Sequence, residues 1–445
     1  MDRMEQLILQ RIDENRDKII EFGRDIYTHA ELGYKEYRTA GKFVEALKEC
    51  GIEEIQEGLA VTGVKGYLNG GAEGPTVALI GELDALAIPN HKYAWEETGA
   101  AHCCGHHAQM AGIMGAAIGL CDPEIAKELS GRVCFYAVPS EECGEVDFKR
   151  SLMDQGIIRY LGGKCELIRI GAFDDIDVNV VHHTITDQKV IFGSATNNGF
   201  TAKTVRYKGI ATHAAGSPHK GVNALNAAAL GISAIQYQRE TFQDKDTVRI
   251  HPIITKGGDL VNVIPDDVVV ETLVRANTME MVMDADKKAD RAFRAGAIAV
   301  GAGMELITMP GYLPNIPLKN NNALEKAYDT MKEHCGYELT WVTEKDHGTG
   351  STDVGDLQHI MPTMEFRTGG ACGGGHQVNY DICDEDLAYV ITAKIFALAA
   401  YHLLKDGAAM AKDVKETFNA KLTKEEYLDY MEKTNRVEVI EIDRP

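Results

Sequence analysis

An α/β pattern that stops in mid-chain and later resumes limits this sequence to a narrow set of architectures. From VTGVKGYLNG through PTVALIGELDAL to GRVCFYAVP, Gly-bounded turns alternate with β-branched runs, and Met110 to Leu120 between them reads as a buried helix. Strand, helix, strand is the pattern of an α/β layer. Upstream, about Glu5 to Gly51 reads as two helices broken at HAELGYKE. Near Phe192 the polar linker GSATNNGF intervenes. Beyond it come a strand and loop (TAKTVRYKGIATHAAGSP), a helix (NALNAAALGISAIQYQRE), two strands (TVRIHPIITKGGDLVNVIPDDVVVETLVRA), a helix (MEMVMDADKKADRAFRAGAIAVGA) and a strand (MELITMPGY). That order, β-α-β-β-α-β, is that of a ferredoxin-like split βαβ layer. After PNIPLKNN the α/β character returns through ALEKAYDTMKEHCG and a long apolar helix near Leu387 to Leu404. The expected fold class is therefore α/β: a discontinuous domain, 1–192 and 313–445, with an inserted ferredoxin-like α+β domain at 193–312.

The charge balance narrows the partners. Lys and Arg number 46 against 67 Asp and Glu, a net charge of −21, which argues against nucleic acid or an anionic membrane as the partner. Apolar content of 44% with 25% charged residues is that of ordinary globular chains. No stretch reaches the roughly 20 apolar residues of a membrane helix, Met110 to Leu120 being the best candidate, and the charged N-terminus has no h-region. A cytoplasmic location is expected, with the ten irregularly spaced cysteines reduced and one of them available to a metal.

The chemistry-bearing residues fall in short motifs. AHCCGHHAQ gathers His102, Cys103, Cys104, His106 and His107, and a Cys-x-His pair in extended backbone points both side chains one way. PSEE places Glu141 and Glu142 after an apolar strand, where one carboxylate can bind metal and the other act as base toward water. VNVVHHTITD delivers His182 and His183 to opposite faces, so only one of them faces a site. GGACGGGHQVNYD puts His376 in a Gly-rich loop, and THAAGSPHKG puts His213 in a small-residue loop. Glu82 and Asp84 end another strand, and Asp84 is placed to accept the second ring N–H of a metal-bound His. Together these donors suffice for two divalent ions whose shared hydroxide would attack a polarised carbonyl.

In order and spacing, the segments HAELGYKEYRTA, GELDALAIP, HCCGHH, VPSEE, HHT, GIATHAAGSPHKGVNAL, GGDLVNVIPD with VRA, GSTDVGD and GGGHQVNYD resemble peptidase family M20, specifically its N-acyl-amino-acid and aminobenzoyl-glutamate hydrolases. The resemblance implies a metal-dependent amidohydrolase with two divalent ions per chain, Zn or Mn, acting on a small amide or dipeptide. It implies Cys104 as bridging ligand, His106, Glu142, His183 (rather than His182) and His376 as further ligands, and Glu141 as the catalytic base. It also implies that the inserted domain is a lid through which the chain forms a homodimer. On that domain, His213 matches the residue offered from the partner subunit to the substrate carbonyl, and Asn262 and Arg275 match positions that hold a substrate carboxylate. The chain departs from the pattern at His107 (usually Asp), at Gln109 (usually His), at Glu82 of the usual Asp-x-Asp, and in a lengthened segment between Glu142 and His183. A dipeptidase or carboxypeptidase of the same family, or a non-catalytic metal-binding homologue, is the alternative.

Overall fold

The computed structural model describes residues 1–443, which divide into two compact units. The first comprises Met1–Ala195, Ile316–Asp346 and Asp356–Lys421. Its eight-stranded sheet runs in the order Glu54–Leu59, Gly63–Asn69, Ser130–Val138, Ala72–Glu82, Val178–Thr184, Thr363–Thr368, Lys189–Phe192, Glu338–Trp341. The four central strands, from Ser130–Val138 to Thr363–Thr368, are mutually parallel, and the strands flanking them join antiparallel. Burial of Ile80, Leu79, Ala78 and Val77 in unbroken succession is what a parallel strand covered on both faces requires. The strands Ala72–Glu82, Ser130–Val138 and Val178–Thr184 end beside Asp84, Glu141 and His183, the strand ends at which open α/β sheets carry their functional groups.

Helix His106–Leu120 is buried at every position, so its small residues serve close packing rather than a polar face. A Cβ on Gly112 or Gly115 would stand 2.4 Å from Thr392 Cγ2 or 2.6 Å from Ala393 Cβ, so glycine sets how closely this helix crosses the one that begins at Thr392. The longer helical stretch that contains it, Asp386–Thr417, is by length and composition the candidate for a membrane span among the described residues, in place of the Met110–Leu120 stretch. Its apolar window is nevertheless wholly buried in the core of this unit, and its backbone leaves helical geometry at Lys405 to Ala408. The N-terminal region holds three helices rather than two: Asn15 caps both Arg3–Glu14 and Arg16–Thr28, and Tyr37–Glu49 follows the HAELGYKE break.

The second unit comprises Thr196–Asn315, His347–Gly355 and the chain from Leu422 onward. Its antiparallel sheet runs Arg249–Ile250, Asp267–Ala276, Gly199–Lys208, Gly303–Pro310, Arg436–Ile440, with Ile253–Lys256 also on Asp267–Ala276. Alternating burial along Asp267–Ala276 marks a sheet packed on one face, against helices Ala224–Tyr237 and Met279–Val300. The expected β-α-β-β-α-β order is present, but the assignment of all of 313–445 to the larger domain is corrected. Arg436–Ile440 pairs with Gly303–Pro310 and completes the smaller sheet, and 347–355 belongs to the same unit. Arg436 also joins buried Asp286 and Asp290, which share Lys203 Nζ at 2.7 and 2.5 Å.

Candidate metal centre

The centre is assembled where three central strands of the first unit end. Gly105 holds φ +90° between Cys104 and His106, and a Cβ there would meet Tyr380 Oη at 2.6 Å and Thr184 Cβ at 2.8 Å. This left-handed turn is open to glycine and opens helix His106–Leu120 with His106 in its first position. Cys104 Sγ lies 3.3 Å from His183 Nε2 and 3.3 Å from His376 Nε2, and His376 Nε2 lies 3.2 Å from Glu142 Oε1. His106 Nε2 lies 3.0 Å from Glu82 Oε2 and 3.9 Å from Glu141 Oε2. Three donor groups follow, each with its ligand atoms within 4.8 Å of one another: Cys104, His106 and His183; Cys104, Glu142 and His376; Glu82, His106 and Glu141. Cys104 belongs to the first two and His106 to the first and third.

The polar atoms inside this cluster fit divalent ions. His106 Nε2, Glu142 Oε1 and Asp84 Oδ1 are buried without a hydrogen-bond partner, and soft sulfur, imidazole and carboxylate are the donor set of zinc-type sites. Burial, with Glu142 beside it, holds the Cys104 thiol well above its ordinary range, so coordination is what would make it a thiolate. Burial opposes charge on His106 too, but Glu82, Cys104 and Asp84 outweigh it and raise the imidazole well above its usual value. His183 is pushed down by burial and by His106, which keeps it the neutral imidazole a metal needs. Asp84, despite full burial, is lowered to about 2 by His106 and the Glu142 backbone N–H.

Each motif residue has a definite position. His106 Nδ1 donates to the Asp84 carbonyl oxygen at 2.9 Å, with Oδ1 of the same residue at 3.3 Å. The Asp84 side chain instead accepts the Glu142 N–H at 2.9 Å, tying the two acid loops together. His182 turns the other way, to Thr368 Oγ1 at 2.7 Å among Phe366 and Phe396, as the alternation of a strand demands. His376, at φ +59°, donates its N–H to Cys103 O at 2.8 Å. Cys372 and Cys383, read from sequence as thiols, form a disulfide across the paired segments Ala371–Cys372 and Asp381–Ile382 and so close the loop that carries His376. His102 and His107 join no donor group among the described residues; His107 is buried and stacked on Tyr27 at 4.4 Å.

Sequence reasoning overlooked three buried partners of the centre. Lys164, in the lengthened segment after Glu142, reaches Glu82 Oε1 at 2.6 Å. Lys149, from the same segment, donates to the Glu142 carbonyl oxygen. Glu36 accepts from Ser140 N–H at 2.8 Å and Thr62 Oγ1 at 2.6 Å, and burial with Asp84 nearby raises its carboxyl to about 7. Only the apolar spacing around these residues is legible in sequence, and it does not single them out.

In the second unit, His213 and Asn262 lie on paired backbone, His213 bridging Val263 and Ala214 N–H reaching Asn262 O at 2.9 Å. His213 Nδ1 accepts from Gly216 N–H at 3.0 Å and Ala215 N–H at 3.2 Å, which fixes the ring proton on Nε2. Arg275 donates to Ser351 Oγ at 3.0 Å and lies over the Phe200 ring.

Comparison with known proteins gives this arrangement a class. Residues 78–401 match the profile of Peptidase family M20/M25/M40. The chain is 28% identical to the Xaa-Arg dipeptidase of Mus musculus, over 96% of this chain and 95% of that one. It is 30% identical to the N-acetyl-L-cysteine deacetylase of Bacillus subtilis, over 59% of this chain and 60% of that one. A Bacillus subtilis crystal structure described as a dinuclear metal binding peptidase from the M20 family superposes with TM-score 0.63 at 24% identity, over 88% of this chain and 99% of that one. The chain belongs to peptidase family M20/M25/M40, and it is a metal-dependent hydrolase of amide or peptide C–N bonds.

Proposed function

We propose that the protein cleaves the amide bond of an N-acyl or aroyl amino acid, using a pair of divalent ions, Zn or Mn, held by Cys104, His106, Glu142, His183 and His376. The observation that carries this reading is Cys104 Sγ lying 3.3 Å from both His183 Nε2 and His376 Nε2, a thiolate position able to serve two ions at once. When bound, such ions polarise the scissile carbonyl and lower the pKa of water. Glu141, beside them, takes the proton from the attacking water and delivers it to the leaving amine nitrogen. Asp84 holds the His106 Nδ1–H, so Nε2 is the atom left for an ion, whose binding would displace the Nε2 proton. His213 of a second copy in a homodimer donates its Nε2–H to the carbonyl oxygen as negative charge develops there. Asn262 and Arg275 hold the substrate carboxylate, Arg275 through its planar fork.

A full-length match to an Xaa-Arg dipeptidase favours a second reading, in which the substrate is a dipeptide with a free α-amine. The test is a panel of N-acetyl amino acids, p-aminobenzoyl-glutamate and Xaa-Arg dipeptides assayed with the metal-reconstituted enzyme. The proposal expects the highest kcat/KM among the N-acylated compounds. Preference for free-amine dipeptides that acetylation abolishes would replace it with the dipeptidase reading.

A further inference from the structure

We infer that the Cys372–Cys383 disulfide is a redox-sensitive tether for His376, whose reversible reduction loosens the ion held by Cys104, Glu142 and His376 and spares the other. The inference rests on the dinuclear reading above and adds to it a control on one of the two ions.

His376 is the most exposed member of its donor group. Its side chain is 54% exposed against 13% for Glu142, and its backbone holds φ +59°, a conformation that persists only where the surroundings enforce it. Gly373, Gly374 and Gly375 before it bring no side chain to pack, and Gln377, Val378 and Asn379 after it are exposed. Glycine loses the most conformational freedom on ordering, so this upstream arm gains the most from opening. The downstream arm is anchored without the disulfide. Tyr380 is buried, its carbonyl oxygen accepts from His91 Nε2 at 2.8 Å, and Tyr27 Oη donates to Asp381 Oδ1 at 3.2 Å. The upstream arm is joined to that anchor by the pairs Ala371–Ile382 and Cys372–Asp381 and by the S–S bond. The bond closes the loop with His376 inside it, and a cross-link removes open conformations from the loop it closes.

The bond is open to exchange, because Cys383 is exposed and Cys372 half-buried. A thiolate of a small dithiol attacks Cys383 Sγ, and the Cys372 sulfur leaves as a thiolate that takes up a proton. The second thiol of the reductant, once deprotonated, breaks the mixed disulfide and departs within a cyclic disulfide, and the Cys383 sulfur takes up the other proton. Two electrons and two protons have then passed to the protein, and a small disulfide reverses the exchange. The other ion's ligands are outside the closed loop: Cys104 and His106 flank the Gly105 turn, and His183 stands on strand Val178–Thr184. Opening of the loop is a local event that leaves those elements in place.

The experiment takes the full chain, stripped of metal by a chelator, in two forms: oxidised with glutathione disulfide, and reduced with a phosphine that is then removed under nitrogen. Peptide mass mapping reports whether Cys372 and Cys383 are linked. Each form is titrated with Zn(II) against a chromophoric competitor, and hydrogen exchange is followed across residues 371–383. The double change Cys372→Ser, Cys383→Ser supplies a permanently untethered chain, and where it fails to fold the reduced wild type carries the comparison. The expected result is two ions in the oxidised protein. In the reduced protein and in the double variant, one ion keeps its affinity and the other binds at least about tenfold more weakly, with faster exchange around His376. Reoxidation restores the wild type, and the double variant responds to neither reagent. Failure of the link to form, or two ions at unchanged affinity after reduction, would overturn the inference while leaving the dinuclear reading intact. A wild type that binds no ion in either form would overturn the dinuclear reading and this inference with it.

Discussion

Glu141 and Asp84 sit within a few ångströms of the same imidazole, yet their substitutions should separate cleanly. On the function proposed above, Glu141→Gln removes the proton carrier and leaves the proposed metal ligands in place. Its kcat should fall by roughly 10²- to 10⁴-fold while elemental analysis returns the wild-type metal content. Near-normal turnover would remove Glu141 from the proton path. Asp84→Asn alters two contacts to proposed ligands, the Glu142 N–H at 2.9 Å and the His106 ring at 3.3 Å. Metal affinity should weaken by about 10- to 100-fold, measured by competition titration. At this scale the residue types were legible: Cys and His at a two-residue spacing, paired acids after a strand, a His in a Gly loop. The buried lysines were not, because a Lys in a sequence carries no sign of which acid it will meet.

Among the elements, the turn at Gly105 has the narrowest tolerance. Its φ of +90° and the 2.6 Å approach of Tyr380 Oη leave no room for a side chain, and the same turn aims both Cys104 and His106. Gly105→Ala should cost roughly 1 to 3 kcal/mol of stability by thermal or denaturant unfolding and lower metal content as well. Full metal occupancy in a stably folded Gly105→Ala protein would show that the turn does not aim the ligands. Strand and helix periodicity announced most of these elements, since burial on one face or both leaves a period of 2, a period of 3.6 or an unbroken apolar run. The break at Asn15 escaped because the apolar spacing runs on across it. The Cys372–Cys383 pairing escaped because a cross-link depends on which segments lie side by side, here Ala371–Cys372 and Asp381–Ile382.

For the molecule as a whole, the second unit depends on residues far away in sequence. Asp286 is buried, and although burial alone would raise its carboxyl, Lys203 and Arg436 hold it below the ordinary 3.8. A depressed folded pKa contributes stability that is fully present above the unfolded value and is lost as pH falls through the folded one. Asp286→Asn should therefore destabilise the protein by roughly 3 kcal/mol near neutrality and flatten its acid-unfolding profile. An unchanged profile would mean that the buried charges are not linked to folding. Truncation after Lys421 removes Arg436 and strand Arg436–Ile440 together, uncovering the Gly303–Pro310 edge. Loss of cooperative unfolding in the second unit, read by hydrogen exchange along Gly199–Lys208 and Asp267–Ala276, is the expected outcome.

The sequence alone determined the α/β class, the inserted ferredoxin-like order and the short motifs that bear the chemistry. All of these follow from local periodicity and from residue types a few positions apart, where the backbone fixes direction. Tertiary structure decided that the C-terminal strand belongs to the smaller sheet, that His183 and His376 both reach Cys104, and that Lys164 and Gln109 clamp Glu82 against His106. The physical reason is the same in each case. These contacts join segments brought together only when apolar faces are buried, and a chain writes its local preferences at each residue but its long-range pairings nowhere in particular.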